Sequence, residues 1–217
     1  ATVEIYESGV TFEGVNVTRN EANENRGSGD GFNTQGITVR NSGVTVENVD
    51  IENNLVDDGE DNNNYGVFVS DEGEAPTENV NLVNVKATDF EVGVLVSDSY
   101  DKDEGIEEVS FNKVDTTASE DVGLHILEAG NGITGITGSN EFESIRTNQN
   151  IQTAVDVAAE GATVEVESGT YAESVTIDTA NLTLKAAGDT NPTINGQSDP
   201  AVDVTDVTAG GVKIDGF

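Results

Sequence analysis

Cysteine, methionine and tryptophan are all absent from the 217 residues. Without cysteine there can be no disulfide, no thiol nucleophile and no thiolate metal site. Aromatic residues make up only 5% of the chain, so a core must be built mainly from Val, Ile and Leu. Positive charge is equally scarce: 9 Lys and Arg stand against 42 Asp and Glu, a formal net charge of −33. Such a chain repels nucleic acids and anionic membranes, so neither is an expected partner. No apolar run reaches the ~18 residues of a membrane-spanning helix, and membrane insertion is not expected. No leader peptide is visible either, although Ala1 stands where a cleaved leader would leave it.

An acidic chain with few aromatics stays disordered when its apolar residues are scattered. Here they alternate and recur at a fixed period. The better reading is a folded protein with a carboxylate-rich surface, suited to a salty, halophilic setting where ions screen the self-repulsion. Two N-x-[ST] sequons, Asn16-Val17-Thr18 and Asn181-Leu182-Thr183, make Asn16 and Asn181 candidate glycosylation sites of a secreted or cell-surface protein.

The internal repeat decides the fold class. Gly36-Ile37-Thr38-Val39, Gly66-Val67-Phe68-Val69, Gly93-Val94-Leu95-Val96 and Gly123-Leu124-His125-Ile126 follow one another at spacings of 30, 27 and 30 residues. A second set follows the first: Val44–Ile51, Val80–Ala87 and Val109–Thr116, with Val10–Val17 as its earlier member. Each segment alternates with a period of two, as a strand with one buried face does. Val44, Val80 and Val109 are expected to stack inward, as are Val46, Leu82 and Phe111, and then Val49, Val85 and Val114. A helix-free unit of about 30 residues with two or three short strands is one coil of a parallel β-solenoid. Asn and Gly fall at the corners, where left-handed backbone is needed, and Asn48 and Asn84 occupy equivalent positions that read as a short inward or corner ladder. The stretches 20–32, 56–64, 71–77 and 97–105 read as loops between strands.

The pattern breaks near residue 147. Residues 148–161 read as the one amphipathic helix, with Ile151, Ala154, Val155 and Ala158 on one face and Gly161 as its C-cap. Strands then resume at Thr163–Val166, Ser174–Ile177, Asn181–Leu184, Thr193–Ile194, Ala201–Val204 and Val212–Ile214.

The run Ile151-Gln152-x-Ala154-Val155, Gly161-x-Thr163-Val164-x-Val166, Gly169-Thr170-Tyr171-x-Glu173-x-Val175-x-Ile177, Leu182-Thr183-Leu184 resembles the N-terminal region of pectin-lyase-like right-handed parallel β-helix proteins. The acidic, Thr- and Val-rich composition is similar to the haloarchaeal surface-protein versions of that fold. The resemblance implies an all-β chain, a right-handed parallel β-helix with one short amphipathic helix near 150–160. Residues 1–146 would supply about five coils and 147–217 the helix plus about three. In that family the helix comes first and caps the first coil. Here it stands in the last third, so the chain reads as circularly permuted.

The same resemblance implies a search for polysaccharide-degrading chemistry. Lyases of the family use a basic residue and carboxylate-held Ca²⁺; its hydrolases use paired Asp beside His and Arg or Lys. The basic inventory here is Arg19, Arg26, Arg40, Arg146, Lys86, Lys102, Lys113, Lys185, Lys213 and His125. None stands in a family catalytic motif, so no catalytic residue and no organic cofactor is expected. His125 falls in an outward row with Thr38, Phe68 and Leu95, which reads as packing beneath a loop ahead of lining a ligand groove. Asp57, Asp58 and Asp61, and Asp98, Asp101 and Asp103, are candidate Ca²⁺ ligands, but neither loop has the spacing of a defined calcium loop.

The two ends carry the expected function. Val207–Ile214 and Val10–Val17 both follow V-T-x-x-G-V-x-[IV] and read as neighbouring rungs at opposite ends of the chain. Open rungs expose unpaired backbone, and the nearest partner is another copy. The expected interface comprises Val3, Ile5, Val10, Phe12, Val15 and Val17 at one end. At the other it comprises Val202, Val204, Val207, Val212, Ile214 and Phe217. The expected partner is therefore the protein itself, head to tail, in an extracellular filament or surface fibre. The alternatives are a segment of a longer tandem surface or adhesion protein, and a β-helix that binds or degrades polysaccharide, surface glycans included.

Overall fold

The computed structural model describes residues 3–19, 34–54, 64–71, 76–98, 105–128, 132–138, 141–188, 191–197, 199–207 and 210–217. The first strands are β1 (Val3–Ile5), β2 (Thr11–Glu13), β3 (Asn16–Arg19), β4 (Thr34–Val39), β5 (Thr45–Asn53), β6 (Asn64–Ser70) and β7 (Thr77–Thr88). Then come β8 (Val92–Ser97), β9 (Ile106–Asp115), β10 (Val122–Leu127), β11 (Ile133–Thr134) and β12 (Phe142–Thr147). After α1 (Ile151–Asp156), the one helix among the described residues, follow β13 (Ala158–Val166), β14 (Thr170–Tyr171), β15 (Val175–Ile177) and β16 (Thr183–Ala186). The last are β17 (Thr193–Ile194), β18 (Val202–Val204) and β19 (Lys213–Asp215).

The fold is all-β, and every paired strand is parallel. One nine-stranded sheet runs β1-β4-β6-β8-β10-β12-β13-β16-β19, in strict chain order. Between successive visits the chain crosses to other sheets, except between β12 and β13, where it passes through α1. Residues before 135 build a sheet ordered β11-β9-β7-β5-β2, with β3 also on β5; later residues build the pairs β14–β17 and β15–β18. Each circuit therefore adds one strand to the nine-stranded sheet beside the last one. Corresponding residues of that sheet are Val3, Ile37, Val67, Val94, Leu124, Ile145, Val164, Leu184 and Ile214.

Alternation builds the core. Val44, Val80 and Val109 are fully buried, as are Val46 and Leu82 with Phe111 beside them, and then Val49, Val85 and Val114. Their registers confirm the stacks read from the sequence. Each fully buried Val, Leu or Ile contributes roughly 1.5–3 kcal/mol. One apolar cluster extends from Ile5 to Leu184, so the core is continuous across residue 147. The glycines opening the G-x-x-V strands are required by close approach. A Cβ on Gly66 would lie 2.6 Å from the Ala87 side chain and 2.6 Å from the Gly93 carbonyl oxygen.

Corners repeat in register with left-handed backbone. One column holds Gly9, Gly43, Asn79, Glu108 and Gly135; another holds Gly14, Asn48, Asn84 and Lys113. Asn84 donates to Asn48 at 2.8 Å, an exposed corner ladder. Glu108 (φ 58°) and Lys113 (φ 59°) occupy these columns at a conformational cost that glycine does not bear. Glu108→Gly and Lys113→Gly are each expected to raise stability by about 1 kcal/mol. Urea midpoints in high salt check this, and unchanged or lower midpoints would count against the strain.

The helix is shorter than the sequence suggests. It ends at Asp156, and Ala158 and Gly161 belong to β13, which pairs with β12 through a bulge between Phe142 and Ser144. The open edge of β12 recruits those residues into a strand. The helix lies inside the stack, where the sheet of β11 breaks off and the pairs β14–β17 and β15–β18 begin. Ile151, Ala154 and Val155 are buried. The Glu173 carboxylate accepts from the amides of Ile151 (2.7 Å) and Gln152 (3.0 Å), and Asn150 Oδ1 accepts from that of Thr153. The Gln152 side-chain amide bonds both the N–H and the C=O of Thr176, closing the open edge of β15 as a neighbouring strand would.

Candidate assembly interface

Exposed large apolar side chains among the described residues are Tyr6 (52%), Val15 (38%), Val204 (46%), Ile214 (44%) and Phe217 (43%). All five lie in the first or last circuit. Val3, Val10 and Phe12 at one end, and Val202 and Val212 at the other, are half-buried against the core, and Val207 is half-buried too. Ile5 and Val17 are already buried within the chain, under β4 and β5, so they support the first end without being exposed on it. Beneath Ile214, Leu184 is fully buried. Among the described strands, β1 and β19 each have one neighbour in the nine-stranded sheet, so they form its two edges.

The two matching octamers are not equivalent rungs. Ile214 aligns with Leu184 in the nine-stranded sheet, whereas Val17 aligns with Ile51 in the other sheet. The true counterpart of Ile214 at the first end is Val3. In the first octamer the left-handed residue is the pattern's own glycine, Gly14, whereas at the other end it is Gly210, one position before the pattern's Gly211. At the second end the nine-stranded sheet also projects one strand beyond β17 and β18.

The outward row of the nine-stranded sheet reads Glu4, Thr38, Phe68, Leu95, His125, Arg146, Glu165, Lys185, Asp215. Towards its first end the row holds exposed Glu4 and buried Thr38, then Phe68 and Leu95, which form a buried outer cluster with Tyr65, Val92 and Val122. Its second half is ionic. Arg146 donates to Glu165 from Nε (3.1 Å) and Nη2 (2.9 Å), and its Nη1 reaches Asp121 at 3.1 Å. Lys185 meets the other Glu165 oxygen at 2.7 Å. Burial disfavours the charge on Glu165, but the hydrogen bonds from Lys185 and Arg146 outweigh it and hold its carboxyl below the usual range. Burial likewise opposes the charge on Arg146, yet Glu165 and Asp121 raise its pKa.

His125 marks the change from apolar to ionic, with Nε2 3.4 Å from Glu167. Burial pushes its pKa below the usual value, against the pull of Glu167. The unfolded chain therefore takes the proton first as pH falls. Stability contributed by neutral His125 is full above about pH 6.5 and is lost as pH drops toward the folded-state pKa. Relative to His125→Gln, the wild type is expected to hold a constant margin above that pH and lose it below, in thermal midpoints taken in high salt. A margin independent of pH would refute this.

The basic residues that polysaccharide chemistry would need are thus partly committed to ion pairs. Asp57, Asp58, Asp61, Asp101 and Asp103, like Arg26 and Lys102, lie outside the described residues. Asp98 is buried and accepts from the Gly132 amide at 2.9 Å. Among the described residues no three His, Asp or Glu side chains converge as metal ligands. A shallow recess of about 310 Å³ beside the start of α1 is lined by Asn148, Gln149, Asn150, Gly169–Ala172 and Glu173. Asn148, Asn150 and Glu173 already serve backbone groups there. Burial, with Glu167 and Glu173 adding, pushes Tyr171 up to about 12. Asn16 and Asn181 are both exposed. No described helix is long and apolar enough to cross a membrane. No protein-family model matches the chain, and no match is found among curated proteins or solved structures.

Proposed function

We propose that this chain is a non-catalytic, extracellular structural protein of a high-salt environment, whose copies stack end to end into a filament. Its architecture in this reading is a right-handed parallel β-helix, because a strand, a crossover and a parallel neighbour in one sheet take that hand almost without exception. The observation that carries the function is the placement of all five exposed large apolar side chains on the two end circuits, where β1 and β19 each lack a second neighbour. Pairing β19 of one copy with β1 of the next satisfies both edges and covers Ile214. A contact between two different surfaces of this kind propagates without limit unless its rotation closes a ring. Exposed Asn16 and Asn181 and the carboxylate-rich surface favour a place outside the cell. Electron microscopy of the purified protein in molar salt is expected to show unbranched filaments. Monodisperse globules at high protein concentration would refute the reading.

A second reading keeps the joint and makes it part of one longer tandem chain. The step at the second end favours it, since the space over β17 and β18 fits one further pair of short strands. Mass spectrometry of the native protein separates the two: a polypeptide well above 22.7 kDa supports the longer chain.

A further inference from the structure

The two sequons stand in unlike surroundings. Asn16 and Thr18 are exposed on one face of β3, with Val17 buried between them. Asn16 lies level with Asp50, Lys86 and Asp115, an exposed column on the flank of the sheet that holds β5, β7 and β9. Its side chain therefore points sideways from the stack. Among the described strands β3 has one neighbour, β5. Neither the Asn16 amide nor the Thr18 hydroxyl meets a hydrogen-bond partner among the described residues.

Asn181 is exposed as well, but its carboxamide is engaged at both ends. Nδ2 donates to Glu160 at 3.2 Å, and Oδ1 fills the space over Gly210, where a Cβ would collide with it. The backbone at Asn181 is left-handed (φ 59°). Thr183 is half-buried on β16, which is held between β13 and β19. One amide is presented to solvent on an edge strand; the other is clamped between two circuits. Resting on the extracellular part of the proposed function, we propose that Asn16 is an N-linked glycosylation site and that Asn181 stays unmodified. A sugar is bulky and strongly hydrated, so it needs the open flank that Asn16 has. The donor class is an oligosaccharide carried on a lipid diphosphate. The bond from its first sugar carbon to the phosphate oxygen breaks, that carbon joins Asn16 Nδ2, and one amide proton leaves with the lipid diphosphate. On the flank, the sugar lies beside the joint and outside it.

The test is peptide mass spectrometry of wild type, Asn16→Gln, Thr18→Ala, Thr18→Ser and Asn181→Gln, each produced in the source organism. Each is recovered separately from the cell-surface and intracellular fractions. In the surface fraction, wild type, Thr18→Ser and Asn181→Gln are expected to carry a glycan mass on the peptide that contains Asn16. Asn16→Gln and Thr18→Ala should lose that mass entirely, and the peptide with Asn181 should have its plain mass wherever the asparagine is kept. Surface protein with no sugar on Asn16, or with one on Asn181, would overturn the assignment and leave the extracellular reading standing. Protein confined to the intracellular fraction would overturn that reading, and the site with it.

Discussion

Ile214→Glu is expected to abolish filaments while leaving the subunit folded. Ile214 is 44% exposed in the isolated chain, so its replacement costs the fold about 1 kcal/mol or less. In the proposed joint the same position would be sandwiched between Leu184 and the next copy's Val3. A carboxylate there has no cation partner, because Lys213 and Lys185 point from the opposite face of the sheet. Burying an unpaired charge costs several kcal/mol, enough to raise the critical concentration by about 100-fold or more. Ile214→Val keeps the apolar contact and is expected to polymerise nearly as the wild type does. Pelleting assays with circular dichroism on the soluble fraction report assembly and folding separately. Filaments of normal yield from Ile214→Glu would show that β19 is not the joint.

The largest effect on the subunit itself is expected from Phe142→Ala, a loss of about 3–5 kcal/mol. Phe142 is fully buried and meets Phe111 edge-on, ring centres 5.0 Å apart. It stands where the chain has fewest walls: one sheet has stopped at β11, the two later pairs have not begun, and only the nine-stranded sheet passes through. Its amide also bonds the Val157 carbonyl just beyond α1. Removing the ring opens a cavity between circuits on the plane where α1 stands in place of the other sheets. Unfolding of Phe142→Ala in urea is therefore expected to separate into two transitions, as stacks of repeats do when one interface weakens. A single transition with a midpoint near that of the wild type would mean that the plane is not special.

The two-residue alternation made most of the stack readable. G-V-x-V places Val on the inside whenever neighbours supply the same pattern, so the inward columns at Val44, Val46 and Val49 could be read without coordinates. Which wall a segment belongs to could not, because V-T-x-x-G-V is a local pattern that carries nothing about the circuit around it. That is why Val10–Val17 and Val207–Ile214 read as equivalent and proved to lie on different sheets. Gly161 read as a helix cap because its left-handed backbone serves equally well in a strand bulge; only the edge of β12 decides between them. The ionic ladder was hidden for a related reason. From Leu124 the partners move to Ile145, Val164 and Leu184, so the circuit shortens from about 30 residues to about 20. Aligning the residue after each of these inward positions would have revealed His125, Arg146, Glu165 and Lys185 in one row.

That same variation in circuit length has a metrical consequence. Partners are 34 residues apart between Val3 and Ile37, and 19 between Ile145 and Val164, yet each pair is one strand apart. The molecule thus measures distance in strands, whatever length of chain lies between them. Nine strands at about 4.8 Å would give each subunit an axial advance of about 43 Å in the proposed filament. Lengthening or trimming the chain between two strands would change the mass per unit length of that filament. The axial repeat would remain the same.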